Sequence, residues 1–224
     1  NPFTIAISGT VDPAIVGGAT YSVNGSTFQT SPNFTFNASG TYTLVIKDGN
    51  GCTATTTYEV KPQLQLNAAL TKELDCTVTP NAEITLTATG GYNTAYTYEY
   101  STDGGLTYTL MPSNVLSTSV LANYTFRVSD AKLPTACQAT TTLTLDPIQS
   151  TVFTTVQTNV SCNGGSDGTI TVNVTSGVGS YQYQLDGGTF QTSNVFTGLT
   201  AGTAYIITGR DAKSCDYPSA PITI

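Results

Sequence analysis

A pattern of about ten residues occurs three times in this chain and constrains its fold more than any other feature. The copies are residues 21–30, 100–109 and 183–192. Each carries Asn-Gly or Asp-Gly between alternating polar and apolar residues, which predicts a β-hairpin. A second marker, an aspartate that follows an apolar strand, recurs at Asp48, Asp130 and Asp211 with spacings of 82 and 81 residues. A period of that length indicates an array of small domains.

Short strand patterns fill most of the chain. Apolar and polar residues alternate in segments such as residues 3–7 and 170–174, as in half-buried strands, and Gly, Asn, Asp and Pro separate the segments roughly every ten residues. We predict an all-β fold of three tandem immunoglobulin-like antiparallel β-sandwich repeats in an extended array. The expected repeats are residues 1–62, truncated at its N-terminal end, 63–147 and 148–224.

One tyrosine opens the strand that leads to each recurring aspartate. These tyrosines are Tyr42, Tyr124 and Tyr205. The segment 199–205, Leu-Thr-Ala-Gly-Thr-Ala-Tyr, resembles the tyrosine corner of immunoglobulin-like sandwiches, in which the tyrosine hydroxyl bonds to the backbone just upstream. We expect one such corner in each repeat.

The charge balance argues against two classes of partner. The chain has 7 Lys and Arg against 14 Asp and Glu, a net charge of −7, so it cannot neutralise many phosphates of a nucleic acid or an anionic membrane. No apolar run approaches the roughly 18 residues of a membrane helix. We predict neither nucleic-acid binding nor membrane insertion. The chain begins without Met, which we interpret as a fragment or a processed piece.

Five cysteines bracket the repeats and indicate an oxidising compartment. The simplest interpretation gives one disulfide to each complete repeat, Cys76 with Cys137 and Cys162 with Cys215. The partner of Cys52 would then be lost by truncation. The alternative pairs Cys52 with Cys76 and Cys137 with Cys162 across the boundaries. A zinc site is disfavoured because the chain has no His and no CxxC motif.

The sequence offers little for catalysis. It contains no His, which removes the usual general base, and no nucleophile elbow or phosphate-binding loop. We predict no enzymatic activity. A hydrolase would instead require carboxylates that converge in a deep pocket.

Two sets of carboxylates are candidates for other roles. Asp48, Asp130 and Asp211 are candidate calcium ligands at a junction, with acceptance of turn N–H groups as the alternative. Residues 101–108 fit the Asp-box pattern S-x-D-x-G-x-T-aromatic. We interpret that pattern as a hairpin whose turn is held by Ser101 and Asp103.

Rows of tyrosine are candidates for either a core or a sugar-stacking platform. The rows are Tyr96, Tyr98 and Tyr100, and Tyr181 and Tyr183. Polar residues alternate with them, which favours the core. We expect Tyr92, Tyr108 and Phe190 to be the more exposed aromatic residues.

Residues 160–172, Val-Ser-Cys-Asn-Gly-Gly-Ser-Asp-Gly-Thr-Ile-Thr-Val, closely resemble the opening of the SprB repeat. The resemblance continues through residues 181–188 and 196–202. Residues 48–52 and 211–215 resemble the family's closing strand, Asp and Cys. The second repeat is similar in a looser way, because its opening lacks the Gly-Gly-Ser-Asp-Gly segment.

This resemblance implies a segment of a very large cell-surface adhesin of Bacteroidetes-type bacteria, exported by type IX secretion, with gliding motility as the role of the founding member. It supplies no catalytic residue. We predict a non-enzymatic stalk segment of a secreted adhesin for gliding motility or surface attachment, extracellular and attached to the outer membrane through the rest of the protein. Expected partners are neighbouring repeats of the same chain and surface polysaccharide, and calcium is the one cofactor considered. The alternative is a carbohydrate- or surface-binding module with an exposed aromatic groove in one repeat.

Overall fold

The computed structural model describes residues 3–9, 18–93, 95–132 and 134–224. Within these ranges the regular structure consists of β-strands alone, and every pairing is antiparallel. The prediction of an all-β fold is confirmed. No helix of the described residues is both long and apolar enough to cross a membrane.

The strands are numbered in chain order, and the repeats keep the names of their sequence ranges. The first repeat contains β1 (Phe3–Ala6), β2 (Thr20–Val23), β3 (Asn33–Phe36), β4 (Gly40–Lys47) and β5 (Thr53–Val60). The second contains β6 (Gln65–Lys72), β7 (Ala82–Thr89), β8 (Thr97–Ser101), β9 (Thr109–Leu110), β10 (Val115–Thr118), β11 (Asn123–Ser129) and β12 (Gln138–Thr144). The third contains β13 (Val152–Thr158), β14 (Gly168–Ser176), β15 (Gln182–Leu185), β16 (Val195–Leu199), β17 (Ala204–Tyr205), β18 (Ile207–Arg210), β19 (Asp216–Pro218) and β20 (Ile222–Thr223).

Two sheets form each repeat, as in an immunoglobulin-like sandwich. In the second repeat one sheet has the order β10-β7-β6 and the other β12-β11-β8-β9. The third repeat repeats this plan with β13-β14-β16 and β15-β18-β19, to which the short pair β17-β20 is added. In the first repeat the sheets are β1-β3 and β2-β4-β5. By their pairing, β1, β7 and β14 are therefore equivalent strands.

Each sandwich encloses a separate core. The inward rows of the second repeat include Ile84 and Phe126, both completely buried, and those of the third include Ile170 and Ile207. The core of the first repeat is smaller and is formed around Ile5, Val23, Tyr42 and Leu44. Alternation along the strands supplies these rows because successive side chains point to opposite faces of a sheet.

The three predicted tyrosine corners are present. The Tyr42 hydroxyl donates to the Ala38 carbonyl at 2.6 Å, and the Tyr124 hydroxyl donates to the Val120 carbonyl at 2.7 Å. At the third corner the Thr200 N–H donates to the Tyr205 hydroxyl at 2.9 Å. Each bond ties the entrance of a strand to the loop before it, which fixes the crossover between the sheets.

The hairpins follow from their turn residues. Asn24 and Gly25 have φ values of 48° and 74°, and Asp186 and Gly187 have 47° and 75°. Positive φ at both central positions defines the type I′ turn that Asn-Gly and Asp-Gly favour. In the second repeat the Asp-box residues form the turn instead. The residues on either side of the turn pair antiparallel in all three repeats.

Candidate functional site

The junction between the second and third repeats holds the covalent link of the described structure. Cys76, which follows β6, is bonded to Cys215, which lies between β18 and β19. The Cys76 N–H also donates to the Lys213 carbonyl at 2.9 Å, and Lys213 Nζ lies 2.5 Å from Glu73 Oε2. A disulfide, a backbone hydrogen bond and an ion pair therefore join the two repeats within a few residues.

The loop that presents Cys215 is held in shape by one aspartate. Asp211 is 5% exposed, and its Oδ1 accepts hydrogen bonds from the N–H groups of Lys213 at 2.9 Å and Cys215 at 3.0 Å. The Asp211 N–H in turn donates to the Cys215 carbonyl at 3.1 Å. These bonds hold the loop in the shape that presents Cys215 to the preceding repeat.

The expected pairings within repeats, Cys76 with Cys137 and Cys162 with Cys215, are not formed. The alternative pairing of Cys52 with Cys76 and of Cys137 with Cys162 is not formed either, and Cys52, Cys137 and Cys162 have free thiols.

The length of β6 explains why Cys76 does not pair with Cys137. Gln63 and Gln138 line one groove at the start of β6, so Cys137 lies at that end of the repeat, whereas Cys76 follows the far end of β6. An eight-residue strand spans about 26 Å, and a disulfide requires α-carbons within about 7 Å. The opening and closing cysteines of the second repeat therefore lie at opposite ends, with Cys76 beside the third repeat and Cys137 beside the first.

The same closing loop occurs in all three repeats. The Cys52 N–H donates to Asp48 Oδ1 at 2.8 Å, and the Cys137 N–H donates to Asp130 Oδ1 at 2.8 Å. The N–H of each aspartate donates to the carbonyl of its cysteine at 3.0 Å. Cys52 and Cys137 are therefore presented in the manner of Cys215.

These aspartates, the candidate calcium ligands, are placed in three separate loops. Asp130 Oδ2 accepts the Tyr92 N–H at 2.7 Å, and this bond, with those from the N–H groups of Cys137 and Lys132, holds the pKa of Asp130 below its ordinary value. No group of three or more metal-ligating side chains occurs in the part of the chain that the structure describes. The structure gives the aspartates the alternative role, acceptance of turn N–H groups, and calcium binding is a hypothesis that calcium removal tests.

The Asp-box residues stabilise a turn, as predicted. Ser101 Oγ lies 2.6 Å from Asp103 Oδ1, and Asp103 accepts hydrogen bonds from Thr107 Oγ1 at 2.6 Å and from the Leu106 N–H at 3.0 Å. The hydroxyls of Ser101 and Thr107 hold the pKa of Asp103 well below its usual range. Both oxygens of this carboxylate accept hydrogen bonds from residues of the hairpin turn.

Two aromatic residues expected to be exposed are instead covered by cations. The guanidinium of Arg127 lies 3.8 Å from the ring centre of Tyr108, and that of Arg210 lies 3.8 Å from the ring centre of Phe190. Both rings are half-buried, so the expectation for them is wrong, because cation–π stacking covers the ring face. Tyr92 is 53% exposed, as expected.

The tyrosine rows pack mostly into the cores. Tyr183 is buried in the third core, and Tyr181 packs against it. Tyr98 and Tyr100 pack against the second core, while the Tyr96 hydroxyl donates to the Gly90 carbonyl at 2.7 Å. The prediction of core packing over a sugar platform is confirmed for the four that contact a core.

A cleft lies between the first and second repeats. Its volume is about 630 Å³, and its lining includes β1, the end of β5, Tyr92 and Cys137. Tyr58 on β5 is 53% exposed and also lines it. No local sequence pattern predicts this cleft, because its walls come from segments more than a hundred residues apart.

These features define a chain of immunoglobulin-like β-sandwich repeats linked end to end. Residues 154–190 match the family model of the SprB repeat, which confirms the resemblance for the third repeat. No curated protein matches the chain. Among solved structures, the crystal structure of the N-terminal four Ig domains of Dscam1 isoform 9.44, with zinc, is similar at 10% identity, covering 96% of this chain and 67% of that chain with a TM-score of 0.23. The fold assignment rests on the strand order of the chain itself.

Proposed function

We propose that this chain is a non-enzymatic stalk segment of a secreted, cell-surface adhesin. The observation that carries the proposal is the disulfide between Cys76 of the second repeat and Cys215 of the third. A bond inside one repeat would protect that repeat alone, whereas a bond across a junction also fixes how neighbouring repeats follow each other. Fixed junctions are what a protein needs to hold a distant binding region away from a surface.

The disulfide also changes the path of a pulling force. Tension applied at the two ends enters the bond at Cys76 and leaves it at Cys215, so the 139-residue separation between them is bypassed. The second and third repeats then cannot be drawn out, even if their sheets separate. A stalk on a moving or attached cell would therefore lengthen less under load than a stalk without this disulfide.

Single-molecule force spectroscopy of the whole chain, pulled from its two ends, tests this role. The oxidised chain is expected to extend to about 30 nm, and the reduced chain to about 75 nm, from the length of a fully extended residue. The Cys215→Ser variant should behave like the reduced chain. The Cys52→Ser variant is the matched control, because Cys52 is an exposed free thiol, and it should keep the short limit. Full extension of the oxidised wild-type chain would refute the stalk mechanism.

The cellular setting belongs to the same proposal. The SprB match in residues 154–190 supports a place among cell-surface adhesins. We infer from this match export through type IX secretion, attachment to the outer membrane through the rest of the protein, and a role in gliding motility or surface attachment. Neighbouring repeats and surface polysaccharide are the proposed partners. Fractionation of a producing cell, with an antibody to this segment applied to intact cells, tests the surface location.

Carbohydrate binding is a second candidate, favoured by one observation. Tyr58 and Tyr92 are each 53% exposed and line the same cleft, and exposed aromatic rings stack on sugars. A glycan array probed with the intact chain tests this candidate. Loss of any signal in the Tyr58→Ala variant, but not in the Phe28→Ala variant, would support it, since Phe28 is also exposed but is not part of the lining.

A further inference from the structure

The cleft between the first and second repeats borders an unpaired strand edge. β1 pairs with β3 on one side, and no described strand pairs with it on the other. The equivalent strand β7 is paired on both sides, with β10 and with β6, and β14 is likewise paired with β16 and with β13. Among the described residues, the first repeat therefore has an open position that β6 and β13 fill in the other two.

The core residues and β5 of the first repeat are less buried than their equivalents in the second repeat, as the open position leads us to expect. Ile84 and Phe126 of the second repeat are completely buried, whereas the equivalent Ile5 and Leu44 of the first are 8% and 7% exposed. All residues of β5 are exposed except half-buried Val60, while in the equivalent β12 exposed and half-buried residues alternate. The contact between β6 and β12 accounts for that difference.

We propose that this cleft binds an added β-strand of the kind found in β6, and that a cysteine following that strand forms a disulfide with Cys137. The strand would pair antiparallel to β1 through its backbone and cover β5 with its apolar face. Its sequence should alternate as β6 does, where Leu66 and Ala68 pack against the core. The inference does not depend on the stalk role, because it concerns completion of the fold.

The position of Cys137 follows from the arrangement at the other junction. β6 runs antiparallel to β7, so its last residues lie beside the start of β7, and Cys76 then reaches Cys215 of the next repeat. An added strand beside β1 would end next to Phe3, which lines the cleft together with Cys137. The Cys137 loop has the same Asp–Cys hydrogen bonds as the Cys215 loop.

The bond can form with a small-molecule disulfide, such as oxidised glutathione, as the oxidant. The Cys137 thiolate attacks the oxidant, forms a mixed disulfide and releases one glutathione thiolate. The thiolate of the bound strand then attacks the Cys137 sulfur, forms the new disulfide and releases the second glutathione thiolate. The two cysteines lose two electrons and two protons, and the oxidant becomes two molecules of reduced glutathione.

A peptide with the sequence of residues 63–80 is a direct probe, since it contains β6 and Cys76. The intact chain is incubated with it in a glutathione buffer, and the adducts are located by peptide mapping. We expect the peptide on Cys137 at least tenfold more often than on Cys52 or Cys162. A peptide with Leu66→Asp and Ala68→Asp keeps the thiol but loses the apolar face, and it should lose the preference.

A second measurement separates strand binding from thiol reactivity. A peptide with Cys76→Ser should still protect the amides of Phe3 to Ala6 from hydrogen exchange, in wild-type chain and in the Cys137→Ser variant alike. Equal labelling of the three free cysteines, or absence of protection along β1, would overturn the proposal. A glycan-array signal that depends on Tyr58, together with no peptide adduct, would also overturn it and assign the cleft to sugar.

Discussion

Gly90 packs directly against the linker residue Gln63. A β-carbon added to Gly90 would lie 2.2 Å from the Gln63 carbonyl oxygen, which no real side chain tolerates. The next residue, Gly91, donates its N–H to the Pro62 carbonyl at 2.8 Å. The end of β7 is thus fastened to the segment through which the chain leaves the first repeat and enters the second.

We expect the Gly90→Ala variant to be destabilised by about 3 kcal/mol, because the linker backbone must shift to accept a methyl group. Gly104→Ala is the matched control. Gly104 has nearly the same φ, 76° against 77°, but nothing lies within 4 Å of an added β-carbon, so the backbone strain alone should cost about 1 kcal/mol. Chemical denaturation of both variants measures the difference, and equal losses would contradict a steric role for the linker.

The disulfide pairing makes a numerical prediction for thiol titration. The chain unfolded without reductant should expose three reactive thiols, those of Cys52, Cys137 and Cys162, and five after reduction. The Cys215→Ser variant should expose four without reductant, since Cys76 loses its partner. A single reactive thiol in the wild-type chain would contradict this pairing, and labelling of that thiol at Cys52 would establish the pairing within repeats, whereas labelling at Cys215 would establish the pairing across the boundaries.

Acid should destabilise the second repeat through Asp130. Because N–H groups lower the folded-state pKa of this carboxylate, its contribution is complete above the unfolded-state pKa of about 3.9 and is lost as the pH falls through the lower folded-state value. The melting temperature should therefore be level near neutral pH and fall below about pH 4. The Asp130→Asn variant should show a shallower acid limb. Asp146→Asn, at an exposed position, should leave the profile as in the wild type.

Calcium removal tests the one cofactor considered. The Oδ1 atoms of Asp48, Asp130 and Asp211 already accept backbone N–H groups, so we expect the same melting temperature in a calcium chelator as in millimolar calcium chloride. A calcium-dependent rise that disappears in the Asp130→Asn variant would show that this loop binds the ion. Magnesium at the same concentration is the control for ionic strength.

Local features of the fold were predictable from the sequence because neighbouring residues decide them. Asn24-Gly25 and Asp186-Gly187 favour a type I′ turn wherever they stand between alternating strands. The tyrosine corners join residues only four or five positions apart. Alternation in the strands predicted the inward rows, and thereby the core packing of Tyr183.

The candidate site was less predictable because it depends on which ends of the repeats meet. Cys76 and Cys215 are 139 residues apart, and no local pattern relates them. One sequence feature could have predicted it. The strand pattern between residues 63 and 76 places Cys76 at the end of the repeat opposite to the linker at Gln63. The covering of Tyr108 by Arg127 likewise joins different strands, so hydrophobic alternation alone could not predict it.

The Cys76–Cys215 bond closes residues 76–215 into a ring. Extracellular proteases cut exposed loops first, and a cut anywhere between Thr77 and Ser214 would open that ring without separating its halves. Both ends of the chain would remain covalently joined through the two sulfur atoms. The chain would therefore remain one covalent piece after a single cut in either of two repeats.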